Sequence, residues 1–324
     1  MTNVPAKQKA PRVIWQLGGG PTARSYADDL IKFGVALIGP GDAGQWTAEM
    51  DDEDFEGSFV RRFATEPEVG DVFLLRTGIS KIRAVGLVAS DYLFLNQFDD
   101  VNGWDLRHAR RVRWSAAAEY DFGKLVFGAN PPRFSGVAHQ EVIDYTQRFL
   151  NSPPDAWQTA ALPGLPPEEP ELKEVPTNLQ EIVGEVRDLW PLFWNRDRFG
   201  DHPTEDELVA HLVVPLLRRS GWQPEQIAVK WHHIDVAVFK ALPRTPENCH
   251  LVIEAKRLGA GVEGALGQAI GYVKALGVDR DVVVTDGVRY RMYAADVDFA
   301  PVAYANLIRL KQSAPELFAR LKRP

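Results

Sequence analysis

The sequence is short of cysteine, of long apolar runs and of excess positive charge, and each shortage excludes something. Cys249 is the single cysteine among 324 residues. One thiol forms neither an intrachain disulfide nor a cysteine-based zinc site, and a reducing, cytoplasmic setting fits. No stretch approaches the roughly 18 consecutive apolar residues of a membrane-spanning helix. The opening MTNVPAKQKAPR lacks the apolar core of a secretory signal. Lys plus Arg number 37 against 44 Asp plus Glu, a net charge of −7. Bulk charge therefore does not draw the chain onto nucleic acid, and any such contact needs a local basic patch. Gly18, Gly19 and Gly20 lie together without the G-x-x-x-x-G-K-[ST] pattern or its lysine. That excludes a P-loop for ATP, and no helicase motor is present.

Hydrophobic residues make up 45% and charged residues 25%, the balance of a globular chain rather than a disordered one. The length suggests two domains. Between them, residues 151–178 read NSPPDAWQTAALPGLPPEEPELKEVPTN, with seven of the 23 prolines. Proline fixes φ and removes a backbone donor, so this stretch is expected as an extended linker, or else a long surface loop. Residues 1–150 hold short apolar runs, PRVIWQL, FGVALIG, GDVFLLR and RAVGLVA, which read as strands of a curled sheet with few helices. TARSYADDLIKFG reads as a helix with Thr22 as its cap, and HQEVIDYTQRFL as another. Residues 179–324 read as helices flanking a mixed sheet. TEDELVAHLVVPLLRRSGW carries Thr204 and Glu207 at capping-box spacing and ends at Gly221. IDVAVF, HLVIEAK and DVVVTDG follow as strands, with GVEGALGQAIGYVKALGV as a helix between the last two. The terminal LFARLKRP is read as peripheral. The fold class expected is thus α/β and mixed.

The most informative residues are Asp235, Glu254 and Lys256. Asp235 lies in the apolar run HHIDVAVF, and Glu254 and Lys256 interrupt HLVIEAKR near its end. Residues two apart in a strand share a face, so Glu254 and Lys256 point the same way. Acids and a lysine on otherwise apolar strands are costly unless paired or metal-bound. One reading is metal-assisted phosphodiester hydrolysis, with Asp235 and Glu254 holding Mg²⁺ or Mn²⁺ and Lys256 orienting water or neutralising charge. The other is a solvated strand end with a surface ion pair. Gln268 and Tyr272 lie four apart on the following helix, hence on one face.

These pieces in this order resemble the PD-(D/E)xK nuclease superfamily, and within it the nuclease domain of type I restriction-enzyme R subunits. The matching pieces are the helix acid of TEDELVAHLVVPLLRRSGW, the Asp of HIDVAVF, the E-x-K of VIEAKR, the Q-x-x-x-Y of QAIGY and a strand ending TDG. They span roughly residues 200–292. The resemblance implies that Asp235 and Glu254 are metal ligands and Lys256 the catalytic lysine. It implies that Glu207 supports the metal site, and that Gln268 and Tyr272 contact DNA or steady the site. The family often carries an Arg shortly before the metal Asp, where this chain has His232 and His233.

The N-terminal half has no catalytic cluster, but aromatics stand near glycine-rich turns: Trp15 before LGGG, Trp46 after GPGDAGQ and Trp104 in NGWDL. WDLRHARRVRW carries Arg107, His108, Arg110, Arg111 and Arg113 between two tryptophans. In an acidic chain the arginines of this run are the candidate DNA-backbone contacts, or else they line a strand with one solvated face. VIWQLGGG, VALIG, GDVFLLRTGISKIRAVGLVASDYLF and GWDLRHARRVRW together resemble the PUA-like group that contains EVE and YTH domains, over about residues 12–115. That resemblance implies an aromatic pocket for a modified base, with Trp15, Trp46, Tyr92 and Trp104 as candidates and Asp42 as an acceptor.

The expectation is a modification-dependent DNA endonuclease: residues 1–150 read a modified cytosine, 151–178 link, and 179–324 cut with Mg²⁺. Restricting cleavage to marked DNA suits a restriction or antiviral role. One site cuts one strand, so double-strand cleavage implies a homodimer or two binding events. The alternatives are a non-catalytic nucleic-acid-binding module, and a nuclease triggered by a small nucleotide or acting on RNA.

Overall fold

Burial on both faces explains why the N-terminal strands read as unbroken apolar runs. In the computed structural model, which describes residues 13–21, 24–41, 44–48, 59–152, 156–195, 198, 200, 203–259 and 262–324, both Val35–Ile38 and the start of Val72–Thr77 are wholly buried. The chain divides into two compact units, with the boundary between Glu168 and Glu169. The first contains β1 (Ile14–Gly18), β2 (Val35–Ile38), β3 (Val72–Thr77), β4 (Lys81–Val88), β5 (Leu93–Phe94), β6 (His108–Ser115), β7 (Tyr120–Asp121) and β8 (Phe134–Gly136). They form a curled mixed sheet of order β2-β6-β4-β3-β1-β8, with β5 on β6 and β7 on β4. β1 and β3 run parallel, and the other pairs are antiparallel. Leu17, Leu30, Phe63, Phe73 and Phe134 pack in one core, and Val72, Leu74, Ile82, Val85 and Val142 in a second.

Helices are few here. α1 (Ala27–Phe33) is shorter than its sequence pattern, and Thr22 lies outside the described residues. It stops at Gly34, whose φ of 60° and close approach to Pro163 exclude a side chain. α2 (Phe59–Thr65) has no clear sequence signal, whereas α3 (Gln140–Asn151) matches its amphipathic pattern.

The proline-rich segment is fastened to the units rather than free. Trp157 is buried against Phe149, with ring centroids 5.9 Å apart. Arg113 donates to the Ala160 carbonyl at 2.9 Å, and Arg111 donates to that of Pro163. Past the boundary, Leu172 N–H donates to Leu310 O at 2.8 Å and Gln312 N–H to Pro170 O at 3.1 Å. Prolines bring carbonyls and no donors, so donors from elsewhere hold much of the segment in place.

The second unit opens with α4 (Gln180–Trp194). Next comes α5, α-helical over Glu205–Leu208, π-helical over Val209–Val213 and α-helical again over Val214–Arg219. Pro215 lacks the N–H that would reach the His211 carbonyl, and the widened turn precedes it. β9 (Ile227–Trp231), β10 (Ile234–Phe239), β11 (Cys249–Ala255), α6 (Leu266–Ala275), β12 (Asp281–Thr285), β13 (Arg289–Ala294), β14 (Ala300–Asn306) and α7 (Ala314–Leu321) complete it. The sheet order is β14-β13-β12-β11-β10-β9, with β11 and β12 parallel across α6 and the remaining pairs antiparallel. α4, α5 and α7 cover the face carrying Val236, Val238, Leu251 and Ile253, while α6 covers the face carrying Ala237, Phe239, Val252 and Val284.

One reading changes. The C-terminal LFARLKRP is not peripheral: Leu317, Phe318 and Leu321 are buried, and the Leu321 carbonyl accepts the Trp222 indole N–H at 2.7 Å. Cys249 is a core residue whose thiol burial pushes up to about 11, which leaves it unreactive. The TDG strand end is a clamp. Asp286 accepts from the amides of Val288 and Arg289 and from the Arg289 guanidinium at 2.8 Å, with both residues buried. Removing one partner of a buried, hydrogen-bonded ion pair strands the other. Asp286→Ala should therefore lower unfolding free energy by about 3 kcal/mol, read by urea denaturation. A loss under about 0.5 kcal/mol would show that the clamp contributes little.

Candidate active site

Strand register sets the site. β10 and β11 pair Val236 with Ile253, so one step further Asp235 faces Glu254 across the ladder. Both carboxylates lie on the α6 face of the sheet and both are buried, Asp235 at 5% and Glu254 at 1% exposure. Asp235 Oδ2 accepts the Ala255 amide at 2.8 Å. Glu254 Oε1 accepts Lys256 Nζ at 2.5 Å, and Glu254 Oε2 is buried with no partner. Lys256 Nζ also donates to Gln268 Oε1 at 3.1 Å, and Gln268 Nε2 donates to the Tyr272 hydroxyl at 2.7 Å. The structure thus brings Asp235, Glu254, Lys256, Gln268 and Tyr272 into one network, with α6 supplying the last two from its i, i+4 face.

The electrostatics follow from this packing. Burial raises the Glu254 carboxyl to about 7, with the Asp235 charge adding and the Lys256 hydrogen bond opposing. Burial pulls Lys256 down, but the hydrogen bond and charge of Glu254, helped by Glu205 and Asp235, outweigh it and hold the ammonium above its ordinary value. Lys256 is therefore a fixed cation here rather than a base. Among the described residues no three His, Cys, Asp or Glu side chains gather as a metal cage. Two carboxylates, one with an unsatisfied oxygen, still fit Mg²⁺, which takes one or two carboxylates and keeps its waters.

Other candidates stand elsewhere. The Glu207 carboxylate closes on its own helix end, accepting from Thr204 N–H at 2.7 Å and Thr204 Oγ1 at 2.9 Å. That capping box corrects its expected place beside the metal seat. The helix acid that reaches the site is Asp206, through Lys230, whose ammonium lies 3.0 Å from Asp206 Oδ1 and 2.7 Å from Asp235 Oδ1. Sequence reading missed both. The signal was weak: a lysine five residues before Asp235 is opposite it only if the chain turns at residues 232–233. His232 and His233 make that turn, with φ of 48° and 70°.

In the first unit the expected base-pocket residues separate. Trp15 is a core residue, stacked on Phe134 at 5.1 Å with its indole N–H on Asp71. Trp46 packs edge-on to Tyr92, whose hydroxyl lies 2.8 Å from Nδ1 of buried His108. His108 Nε2 donates to the Pro40 carbonyl at 2.7 Å, so Nδ1 accepts from Tyr92. Asp42 lies outside the described residues. Trp104 lines a cavity of about 570 Å³ with Gly18, Gly20, Tyr26, Arg76 and Arg133. Its indole N–H and the Arg76 Nε–H are buried without an acceptor. The guanidiniums of Arg24 and Arg133 lie 3.9 and 5.4 Å from the Trp104 ring centroid. A Cβ on Gly20 would strike the Arg24 carbonyl at 2.6 Å, so only glycine allows the backbone to approach Arg24 this closely.

The arginine run is largely spent on the fold. Arg110 is 2% exposed and donates to the carbonyls of Phe63, Ala64 and Ser90, which corrects its expected place on the DNA backbone. Arg107 is paired with Asp105 and donates to the Gly41 carbonyl. Arg111 and Arg113 donate to carbonyls of residues 33–34 and of the proline-rich segment.

A family model for a domain of unknown function (DUF8426) matches residues 16–130. A search of curated proteins found no match. A solved structure described as a fragment of an HsdR subunit of a type I restriction enzyme from Vibrio vulnificus YJ016 is similar at 20% identity with a TM-score of 0.26, over 37% of this chain and 25% of that one. No helix among the described residues is long and apolar enough to cross a membrane.

The Glu254 shift has a stability consequence. Its carboxyl binds a proton more tightly in the folded chain than at the ordinary 4.5 of the unfolded one. The metal-free protein therefore loses stability as pH rises from about 4.5 through about 7, by up to about 3 kcal/mol. Glu254→Gln should remove that slope, read as denaturant unfolding at about pH 5 and about pH 8. An equal slope in both proteins would contradict the burial of an unsatisfied carboxylate.

Proposed function

We propose that the chain is a modification-dependent DNA endonuclease of a restriction system, hydrolysing phosphodiester bonds at Asp235, Glu254 and Lys256. The observation that carries this reading is the pair of buried carboxylates opposed across β10 and β11, with Lys256 bonded to both Glu254 and Gln268. A surface ion pair at a solvated strand end would not place Asp235 and Glu254 at 5% and 1% exposure. Mg²⁺ or Mn²⁺ held by Asp235 and Glu254 would supply Lewis acidity toward water and the scissile phosphate.

The chain's own residues do the rest. Asp235 is oriented by the Ala255 amide, so its free lone pairs point along a set direction. Lys256, kept cationic, offers its charge to a phosphate oxygen. Gln268 accepts from the ammonium and Tyr272 accepts from Gln268, so two side chains of α6 fix where Lys256 sits. The covering helix also excludes water from one side of the pair, which strengthens every charge interaction inside.

The cavity of the first unit is the proposed reader, and a modified cytosine its proposed ligand. At about 570 Å³ it has room for a nucleobase with a substituent. Trp104 and the arginines of the lining suit an aromatic base and its phosphate. A homodimer would bring two cutting sites to two strands.

The test is cleavage of matched plasmids carrying unmodified, 5-methyl, 5-hydroxymethyl or glucosylated cytosine, with Mg²⁺. Cutting of a modified plasmid only is expected. Asp235→Ala and Lys256→Ala should lower cleavage on the order of 1000-fold and leave binding intact. Trp104→Ala should weaken discrimination between the plasmids. Wild-type cutting by Lys256→Ala would remove the site assignment. Equal cutting of all four plasmids would remove the reader, and activity only with an added nucleotide would turn the cavity into a trigger site.

A further inference from the structure

The proposed metal seat already holds a cation of the chain's own. β9 and β10 pair Val229 with Val236 and Trp231 with Ile234, which sets Lys230 opposite Asp235. Lys230 leaves regular strand geometry there, with φ of 54°. A side chain in the left-handed region costs free energy that a strand does not require, so something nearby selects it. In this conformation the ammonium reaches Asp235 Oδ1 at 2.7 Å and Asp206 Oδ1 at 3.0 Å. The other Asp235 oxygen is taken by the Ala255 amide. A divalent ion approaching Asp235 therefore meets Lys230 on the oxygen that remains.

We infer that Lys230 is a resident counter-ion of this seat, displaced when a divalent cation binds, with Asp206 as the carboxylate that keeps it nearby. The inference rests on the nuclease reading for its metal. Three features separate Lys230 from a permanent ion pair. Its side chain is 49% exposed on the edge strand of the sheet, and its partner Asp206 is 72% exposed at the start of α5, so the ammonium can swing outward without disturbing the core. Lys256, in contrast, is 21% exposed and tied to Gln268 as well as Glu254. Repulsion gives the third feature: a divalent ion on Asp235 would meet an ammonium 2.7 Å from Oδ1, and moving Lys230 away relieves it.

The device has a use. Without metal, Lys230 neutralises a carboxylate that would otherwise be buried opposite Glu254 with only a backbone amide for company. It also weakens metal binding in the resting protein. A DNA phosphate entering the site brings the negative charge that favours the metal and gives the released ammonium a partner. Lys230 is thus a positioning residue that couples metal affinity to the presence of substrate.

The experiment titrates the full chain with Mn²⁺ in the absence of DNA, following free Mn²⁺ by electron paramagnetic resonance. Wild type is compared with Lys230→Met, Lys230→Arg and Asp235→Asn, each checked by thermal unfolding. Lys230→Met should bind Mn²⁺ on the order of tenfold more tightly. Lys230→Arg, which keeps the charge, should stay close to wild type, and Asp235→Asn should lose the site. If Lys230→Met fails to fold, Lys230→Gln carries the same expectation. Unchanged or weaker binding in the uncharged variant, with binding still lost in Asp235→Asn, overturns the counter-ion role and leaves the metal seat standing. Equal binding by wild type and Asp235→Asn removes the seat itself, and the counter-ion with it.

Discussion

Two carboxylates facing each other across adjacent strands, out of water, are the constraint around which the second unit is organised. Asp235 and Glu254 repel, and neither is solvated. The surrounding structure answers with an amide from Ala255, an ammonium from Lys256 and an ammonium from Lys230. One oxygen of Glu254 remains without a partner, and burial with the Asp235 charge raises its carboxyl to about 7. A core residue in this position would be selected against for stability alone. The proposed divalent cation would turn the same arrangement to use.

The first unit shows the reverse allocation of charge. Its arginines look from the sequence like a surface for phosphates, yet they are directed onto carbonyls that sheet and helices leave unsatisfied. Arg110 closes the end of α2, and Arg111 and Arg113 hold the proline-rich segment, whose many carbonyls need donors. Cations that remain beside an open cavity are those around Trp104, where two buried N–H groups find no acceptor. Among the described residues, the second unit keeps one buried acceptor without a partner, Glu254 Oε2, and the first keeps buried donors on Trp104 and Arg76.

Local pattern made most of the architecture legible. Strands β1 to β4, β10, β11 and β12 stand where apolar runs are bounded by glycine or charge, and α5 begins at the Thr204 capping box. Edge strands and terminal elements escaped because their signals are faint: β9 carries exposed Val229 and Lys230, and α7 buries its face only against elements far away in sequence. At the site, the E-x-K and Q-x-x-x-Y spacings could be read because strand and helix periods translate directly into shared faces. Lys230 and Asp206 could not, since their meeting depends on a two-residue turn at His232 and His233 and on where α5 begins. Trp15 misled for a related reason. An aromatic beside glycines looks like a pocket wall, but its position within a parallel pair of strands makes it core.

The central claim is that Asp235 and Glu254 form a metal seat, and locating the ion tests it most directly. Crystals of the full chain soaked in Mn²⁺ and measured for anomalous scattering should show a peak beside both carboxylates, with Lys230 moved off Asp235. Mn²⁺ bound only at other carboxylates, with the Asp235–Lys230 pair intact, would contradict the account.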